Sequence, residues 1–178
     1  MTKKELRAAM KKRNLSLSSE ERDAASERIF GRVERLPGFS AARCAAFFCA
    51  LPDEPQTGAA LARWSAAKRI VVPRVEGDAM RFYDYVPGEL CRGAFGIAEP
   101  SAAERPCDPA DIDFIVVPGV AFTAAGARMG RGRGYYDKYL SQSGFRGVKA
   151  GVCYAHQLVG ELPVEPHDVF MDYVVTND

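Results

Sequence analysis

The sequence predicts a three-layer α/β/α protein, a single domain over residues 1–178 with a largely parallel β-sheet. Short apolar, β-branched runs alternate with amphipathic segments that carry helix-capping residues, which is the pattern of repeated β–α units. A chain with 47% hydrophobic and 26% charged residues is ordinary for a globular protein and long enough for one sizeable core. No internal repeat or linker-like segment divides it.

Three helices are predicted in the first part of the chain. Residues 3–14 form a short basic helix. The second helix begins at a capping box made by Ser18 and Glu21. A third is expected over residues 58–68, with Thr57 as its N-cap.

The predicted strands are short and bounded by turn residues. Pro73 argues for an edge or strand-end position because proline has no N–H for a sheet ladder. Gly77-Asp78 predicts a hairpin between the second and third strands. The strands are expected at 44–51, 69–75, 80–86, 114–118, 148–154 and 173–176. Residues 101–111 are interpreted as a surface loop.

Composition excludes several classes of function. A net charge of +1 provides no overall field for nucleic acid or a membrane, and no apolar run reaches the ~20 residues of a membrane span. The five cysteines form no Cys-x-x-Cys pair and do not suggest a disulfide framework. His156 and His167 have no further metal ligands at a convincing spacing and are interpreted as structural or surface residues. We therefore expect a cytoplasmic protein, a monomer that binds small molecules.

Residues 128–137 are the most informative stretch, because glycine alternates with arginine before two tyrosines and an aspartate. The predicted strand at 114–118 lies upstream, and a helix is predicted to start at residue 135. Glycines there leave backbone N–H groups free to face an anion and let a ligand approach the main chain. Arginines add guanidinium groups suited to phosphate, and Asp137 can hold a divalent cation together with phosphate oxygens and water.

A second candidate region follows the first predicted strand. Glu54 lies in the loop that leads to the third helix. In a parallel sheet this loop and the loop over residues 119–134 open on the same edge, where such folds place ligands. From spacing alone, Glu54 is also consistent with an acidic loop residue that has no partner.

The segment from Pro118 to Phe122, with Gly126, Arg128, Gly130 and the run from Gly132 to Asp137, resembles the signature of the 5-formyltetrahydrofolate cyclo-ligase family. These enzymes are also called 5,10-methenyltetrahydrofolate synthetases. Further similarity extends over nearly the whole chain. It includes a Lys-x-x-x-Arg pair at Lys3 and Arg7, Asp-Glu-x-x-Thr at 53–57, and Gly-x-x-Gly-Ile-x-Glu-Pro at 93–100.

The resemblance implies ATP-dependent cyclisation of 5-formyltetrahydrofolate (folinic acid) to 5,10-methenyltetrahydrofolate, with release of ADP and phosphate. The formyl oxygen would be phosphorylated and N10 would attack the activated carbon. The resemblance also implies the fold of the ribose-phosphate isomerase and CoA-transferase group.

The same resemblance assigns the site. The residues implied to bind ATP are Lys3, Lys4, Arg7, Arg128, Met129, Gly130, Arg131, Gly132, Arg133, Gly134, Tyr135 and Tyr136. Folate is expected to contact Cys49, Glu54, Arg131 and Tyr135, and Arg131 and Tyr135 are also expected to act in catalysis. Mg²⁺ is expected at Asp137 and Asp168.

Three alternatives stay open at this point. A phosphosugar or CoA-ester enzyme of the same fold would also use an anion-binding glycine loop. A nucleic-acid or nucleotide-binding module would use the Gly–Arg stretch, but the near-neutral charge and the lack of a longer basic stripe argue against it. A family member without activity is the third, and the presence of Lys3, Arg7, Glu54 and Asp137 argues against that.

Overall fold

The computed structural model of the protein describes residues 1–88, 90–92, 98–100 and 105–178. Its helices are α1 (Lys3–Leu15), α2 (Ser19–Val33), α3 (Gly58–Ser65) and α4 (Tyr135–Leu140). Its strands are β1 (Cys44–Ala46), β2 (Arg69–Glu76), β3 (Ala79–Asp84), β4 (Leu90–Arg92), β5 (Ala98–Pro100), β6 (Phe114–Val117), β7 (Ala121–Phe122), β8 (Arg128–Met129), β9 (Val148–Val152) and β10 (Tyr173–Val175). No helix in these ranges is long and apolar enough to cross a membrane.

Six strands form the central sheet, in the order β10-β9-β6-β1-β2-β3. All neighbouring pairs are parallel except β2 and β3, which form the hairpin predicted at Gly77-Asp78. The predicted, largely parallel sheet is therefore confirmed. Because β1 and β6 run in the same direction, the segments that follow them leave from the same edge of the sheet.

Helices cover both faces of this sheet. On one face α2 and α3 pack onto it, and Trp64 stacks on Phe47 with ring centroids 4.5 Å apart. On the other face α4 contributes Tyr139 to a separate cluster. Alternate residues of β6 belong to opposite clusters, with Phe114 in the first and Ile115 in the second. Burial on both faces explains why this strand is a continuous apolar run, and it confirms the three-layer prediction.

Helix α1 lies outside these layers and packs against a small hairpin of β7 and β8. A capping box between Thr2 and Glu5 starts the helix. Met10 buries its side chain with Val120 and Met129. The sequence analysis missed this hairpin because each of its strands has only two residues. The contact with α1 brings the basic face of the helix to the glycine–arginine stretch.

The end of β1 and the capping bond at α3 differ from prediction, although α3 begins at Gly58 after Thr57 as expected. Strand β1 ends at Ala46, although the chain stays buried through Cys49, because only residues 44–46 pair with β2. Thr57 does not cap α3 with its side chain; its Oγ1 accepts a hydrogen bond from the Ala50 N–H at 3.0 Å. Thr57 therefore fastens the segment after β1 to the start of α3.

The position of Pro73 and the structure of the loop before β6 also differ from the prediction. Pro73 lies in an interior strand, but beyond Val71, the last residue of β2 that pairs with β1. Its missing N–H therefore removes no bond to β1. The predicted surface loop contains a 3₁₀ turn at Pro109–Asp111. Its residues 101–104 lie outside the described part of the chain, as do residues 93–97 of the similar motif noted above.

Candidate active site

A cavity of about 780 Å³ opens where the chain leaves β1, at the β7–β8 hairpin and at the start of α4. Helix α1 closes one side and residues 163–168 another. Among the residues that line it are Lys3, Arg7, Lys11, Cys49, Asp53, Glu54, Glu99, Arg128, Met129, Gly130, Arg131, Gly132, Arg133, Gly134, Tyr135, Tyr136, Asp137, Glu165, His167 and Asp168. The structure thus brings together the two regions that the sequence analysis singled out.

The first wall is residues 51–57, which we call the acid loop. Glu54 is 7% exposed, and its Oε1 accepts a hydrogen bond from the Leu51 N–H at 2.8 Å. The Tyr154 hydroxyl donates to the Glu54 carbonyl at 3.0 Å, and the Gln56 side chain donates to the same oxygen at 2.7 Å. Glu54 is therefore held by its backbone and by one carboxylate oxygen. Burial raises the pKa of Glu54, and the nearby Arg131 opposes that rise.

The second wall is residues 130–134, which we call the glycine-rich loop. Gly132 and Gly134 have positive φ angles of 102° and 73°, a region that side chains with a Cβ rarely adopt. A Cβ on Gly130 would come within 3.0 Å of the Arg128 guanidinium. The alternating glycines are thus needed for the path of the main chain and for close approach of a neighbouring side chain.

Arg131 joins the two walls. Its Nη2 lies 2.8 Å from Oδ1 of Asp53 and 3.4 Å from Oε2 of Glu54. Both acids are more than nine-tenths buried, whereas the Arg131 side chain is 41% exposed. Burial alone would lower the pKa of Arg131, but the bond from Asp53 and the charge of Glu54 raise it, so the guanidinium stays charged.

Arg128 has a different position. Its Nε donates to the Pro118 carbonyl at 2.7 Å, and its guanidinium lies over the Tyr136 ring, 5.1 Å from the centroid. Burial lowers the pKa of Arg128 and raises that of Tyr136. Tyr136 therefore keeps its phenolic proton and can act as a donor. Arg128 supports the main chain at the cavity in addition to lining it.

Of the three residues of α1 predicted to bind ATP, two line the cavity. Lys3 pairs with Glu165 at 3.2 Å, and the Nε of Arg7 donates to the Gly130 carbonyl at 2.9 Å. Lys4 is exposed and is not among the lining residues, so its predicted role gains no support. Lys11, one turn after Arg7, lines the cavity instead. The helical face was predicted correctly for Lys3 and Arg7, but it continues toward Lys11.

Asp137 and Asp168 lie on neighbouring segments of the wall. The Val169 N–H donates to Oδ1 of Asp137 at 3.2 Å, and the Glu165 N–H donates to Oδ2 of Asp168 at 2.8 Å. Within the described ranges, no group of three or more His, Cys, Asp or Glu side chains is placed to hold a metal ion. Two carboxylates fit Mg²⁺ that takes its remaining ligands from phosphate and water.

The folate-side prediction included Cys49, which is buried and lines the cavity. Burial, with a smaller effect from Glu99, raises the pKa of Cys49 to about 11, so its thiol is neutral and serves as an apolar wall. Tyr135 is half-buried at the cavity, and its hydroxyl lies 3.4 Å from the Gly77 carbonyl. Met129 lines the cavity from β8 while packing against α1.

Several cavity residues were missed by sequence reasoning. Asp53 precedes Glu54 and was passed over because the resemblance assigns a role only to the glutamate of this pair. Glu99 is 4% exposed and accepts a hydrogen bond from the Val75 N–H at 2.7 Å. Glu165 and Lys11 come from segments with no motif. Only the tertiary contacts identify these four residues.

The sequence of residues 1–177 matches the family model described as the 5-formyltetrahydrofolate cyclo-ligase family. A 5-formyltetrahydrofolate cyclo-ligase of Mycolicibacterium smegmatis is 30% identical, over 98% of this chain and 93% of its own. The solved 5,10-methenyltetrahydrofolate synthetase of Aquifex aeolicus is 36% identical, with a TM-score of 0.88 over 99% of this chain and 90% of that one. The synthetase structure from Mycoplasma pneumoniae, 24% identical with a TM-score of 0.81 and full coverage of both chains, has the same fold. The chain therefore belongs to the 5-formyltetrahydrofolate cyclo-ligase family.

Proposed function

We propose that the protein catalyses the reaction ATP + 5-formyltetrahydrofolate → 5,10-methenyltetrahydrofolate + ADP + phosphate. Family membership supports the reaction class. The observation that carries the proposal is the meeting of Arg131 and Glu54, 3.4 Å apart, across one cavity. Arginine is suited to phosphate and a buried carboxylate to the N–H edge of a pterin, so this contact supports a site in which the two substrates bind side by side.

The chemistry requires a better leaving group, because a formamide oxygen leaves poorly. Transfer of the γ-phosphoryl group to the formyl oxygen provides one; N10 then attacks the activated carbon, and phosphate leaves as the ring closes. No side-chain nucleophile is needed, so the protein contributes positioning and charge neutralisation. We assign Arg131 and Tyr135 to the reacting groups because both line the cavity beside the glycine-rich loop.

The nucleotide is assigned to the side formed by α1 and the glycine-rich loop. Lys3 and Arg7 reach the cavity from the helix, and Arg131 and Arg133 reach it from the loop. Four cations around one opening suit a triphosphate, and backbone N–H groups of the loop add donors without a charged side chain. Asp137 and Asp168 would hold Mg²⁺, which neutralises charge on the phosphates when it is bound.

The folate is assigned to the side formed by the acid loop. The buried Glu54 carboxylate accepts N–H groups of the pterin, and Cys49 supplies an apolar surface. A pterin in this position points toward Arg131, because Oε2 of Glu54 and Nη2 of Arg131 are already neighbours. This order along the cavity brings the formyl group to the nucleotide side.

The direct test is the absorbance of methenyltetrahydrofolate after mixing the protein with 5-formyltetrahydrofolate, ATP and Mg²⁺. We expect product only when nucleotide and divalent ion are both present, because arginines and the metal ion together neutralise the charge of the phosphates. Product formation at an undiminished rate in excess EDTA, or without nucleotide, would contradict the proposal.

We also infer a cytoplasmic protein of one domain, on the composition set out above, and a fold of the ribose-phosphate isomerase and CoA-transferase group. We further propose that the protein is a monomer. The largely parallel six-stranded sheet with helices on both faces supports the fold assignment. Sedimentation of the purified protein tests the monomeric state.

A further inference from the structure

Asp53 has no role in the reaction proposed above, yet it makes the shorter contact with Arg131. One guanidinium nitrogen, Nη2, is shared between Oδ1 of Asp53 at 2.8 Å and Oε2 of Glu54 at 3.4 Å. The two acids are adjacent in sequence and both are buried. A single arginine therefore divides its charge unequally between two carboxylates, and Asp53 takes the larger share.

The backbone of Asp53 is fixed by helix α1. The side-chain amide of Asn14 in α1 donates to the Asp53 carbonyl at 2.9 Å. His156 contacts the side-chain oxygen of Asn14. Glu54 is fixed independently through Leu51 and Tyr154, so the two carboxylates keep their spacing whichever one Arg131 contacts. The arginine is the member of this trio that solvent and ligands can reach, because its side chain is 41% exposed.

Both substrates compete for parts of this trio. A nucleotide phosphate competes with the two carboxylates for the Arg131 guanidinium. A pterin N–H group competes with Arg131 for Oε2 of Glu54. The first substrate to bind must break the Arg131–Glu54 contact, and the second then finds its partner already released. Because both substrates must break the same contact, the binding of either one strengthens the binding of the other.

We propose that Asp53 is a positioning residue that draws Arg131 away from Glu54, and that the shared ion pair couples nucleotide binding to folate binding. The proposal rests on the function proposed above. Without the charge of Asp53, Arg131 has Glu54 as its acidic partner in this trio and holds it more tightly. Folate alone then binds more weakly, whereas folate added after a nucleotide has captured Arg131 binds normally.

Calorimetric titration of the full-length protein with 5-formyltetrahydrofolate tests this, first alone and then saturated with Mg²⁺ and a non-hydrolysable β,γ-imido analogue of ATP. Couplings between sites are typically roughly 5- to 150-fold, and the 3.4 Å contact suggests about five- to tenfold tighter folate binding with the analogue. Asp53→Asn should weaken folate binding about fivefold or more without the analogue, and should leave it unchanged with the analogue.

Matched variants separate positioning from a structural role. Asp53→Glu keeps the charge and should restore the folate affinity of the unliganded protein. Asp23→Asn removes an exposed acid from α2 and should change neither titration. If Asp53→Asn weakens folate binding equally in both states, Asp53 serves the fold and the proposal is wrong.

The wild-type titrations decide the coupling even if Asp53→Asn does not fold. Equal folate affinity with and without the analogue would overturn the coupling while leaving the reaction intact, provided product still forms. Failure to bind or convert 5-formyltetrahydrofolate in either state would instead overturn the proposed function.

Discussion

The acid loop and the glycine-rich loop face each other across one cavity but are built in opposite ways. The acid loop is buried and cross-braced: Glu54 is held through its carbonyl and one carboxylate oxygen, and Thr57 fastens the loop to residue 50. The glycine-rich loop is exposed from residue 131 to 134, and two of its glycines have positive φ. One wall is held by buried hydrogen bonds, whereas the other is open to solvent and is joined to its surroundings through Arg131 and the Gly130 carbonyl.

This difference matches the two ligands. A pterin is flat and rigid, so a fixed acid can recognise its edge at little entropic cost on binding. A triphosphate is flexible and strongly charged, and it is better held by several arginines and N–H groups that adjust to it. Substitutions in the two walls should therefore separate folate affinity from nucleotide affinity.

The largest effect is expected at Glu54. Glu54→Gln keeps the shape but replaces one acceptor oxygen with a donor, which turns one pterin contact repulsive. We expect a loss of roughly 2–4 kcal/mol in folate binding, about 30- to 800-fold in affinity, from a lost charged hydrogen bond and an unpaired group. Nucleotide affinity should not fall, because Arg131 loses a competing carboxylate, and thermal stability should change little. Calorimetric titration measures the affinity for both ligands, and Glu161→Gln, at an exposed position, is the control. If Glu54→Gln binds folate with wild-type affinity, Glu54 is not part of the folate site.

The next effect is expected on the nucleotide side. Arg7→Ala removes a cation that also donates to the Gly130 carbonyl, and a phosphate contact contributes about 1–3 kcal/mol. The KM for ATP should rise far more than the KM for folate. Lys4→Ala is the matched control because Lys4 is exposed outside the cavity. If both variants raise the KM for ATP equally, the helix acts through its general charge.

A smaller effect is expected from the loop backbone. Gly132 has φ of 102°, and a Cβ there would stay 3.5 Å from the Arg7 guanidinium, so the strain is conformational. Gly132→Ala should weaken nucleotide binding by about 1–2 kcal/mol and spare folate binding. Gly31→Ala in α2, where a Cβ meets nothing within 4 Å, should instead raise the free energy of unfolding by about 0.5–1 kcal/mol. Equal loss of affinity for both ligands in Gly132→Ala would show that the strain reaches the acid loop as well.

The smallest effect concerns the support of the acid loop. Burial, with Arg13 nearby, lowers the pKa of His156 from its usual 6.5, so the unfolded chain takes up this proton more readily than the folded one. The contribution of His156 to stability is therefore complete above about pH 6.5 and is lost as pH falls through the lowered value. His156→Gln should flatten the dependence of unfolding free energy on pH in that window, measured by urea denaturation. If the slope of unfolding free energy against pH is unchanged, other groups cause the loss of stability at low pH.

Local sequence patterns predicted most of the framework. The Ser18–Glu21 capping box and the Gly77-Asp78 turn depend on neighbouring residues, and the structure has both. Strand β6 was recognisable because burial on both faces demands an unbroken apolar run. The β7–β8 hairpin was not, because two-residue strands leave no periodicity and depend on packing against α1. Thr57 is the N-cap residue of α3 as predicted, but its hydroxyl accepts from the more distant Ala50 N–H and makes no capping bond.

The same division holds for the candidate site. Sequence patterns identify which groups are available: the glycines, arginines, tyrosines and acids of the two loops, and the basic face of α1. How the charge of these groups is divided depends on their tertiary contacts. Arg131 meets Asp53, 78 residues away in the chain, more closely than Glu54, and Lys3 meets Glu165, 162 residues away. No local pattern encodes such pairings, because they depend on how the sheet edge, α1 and the last loops pack together.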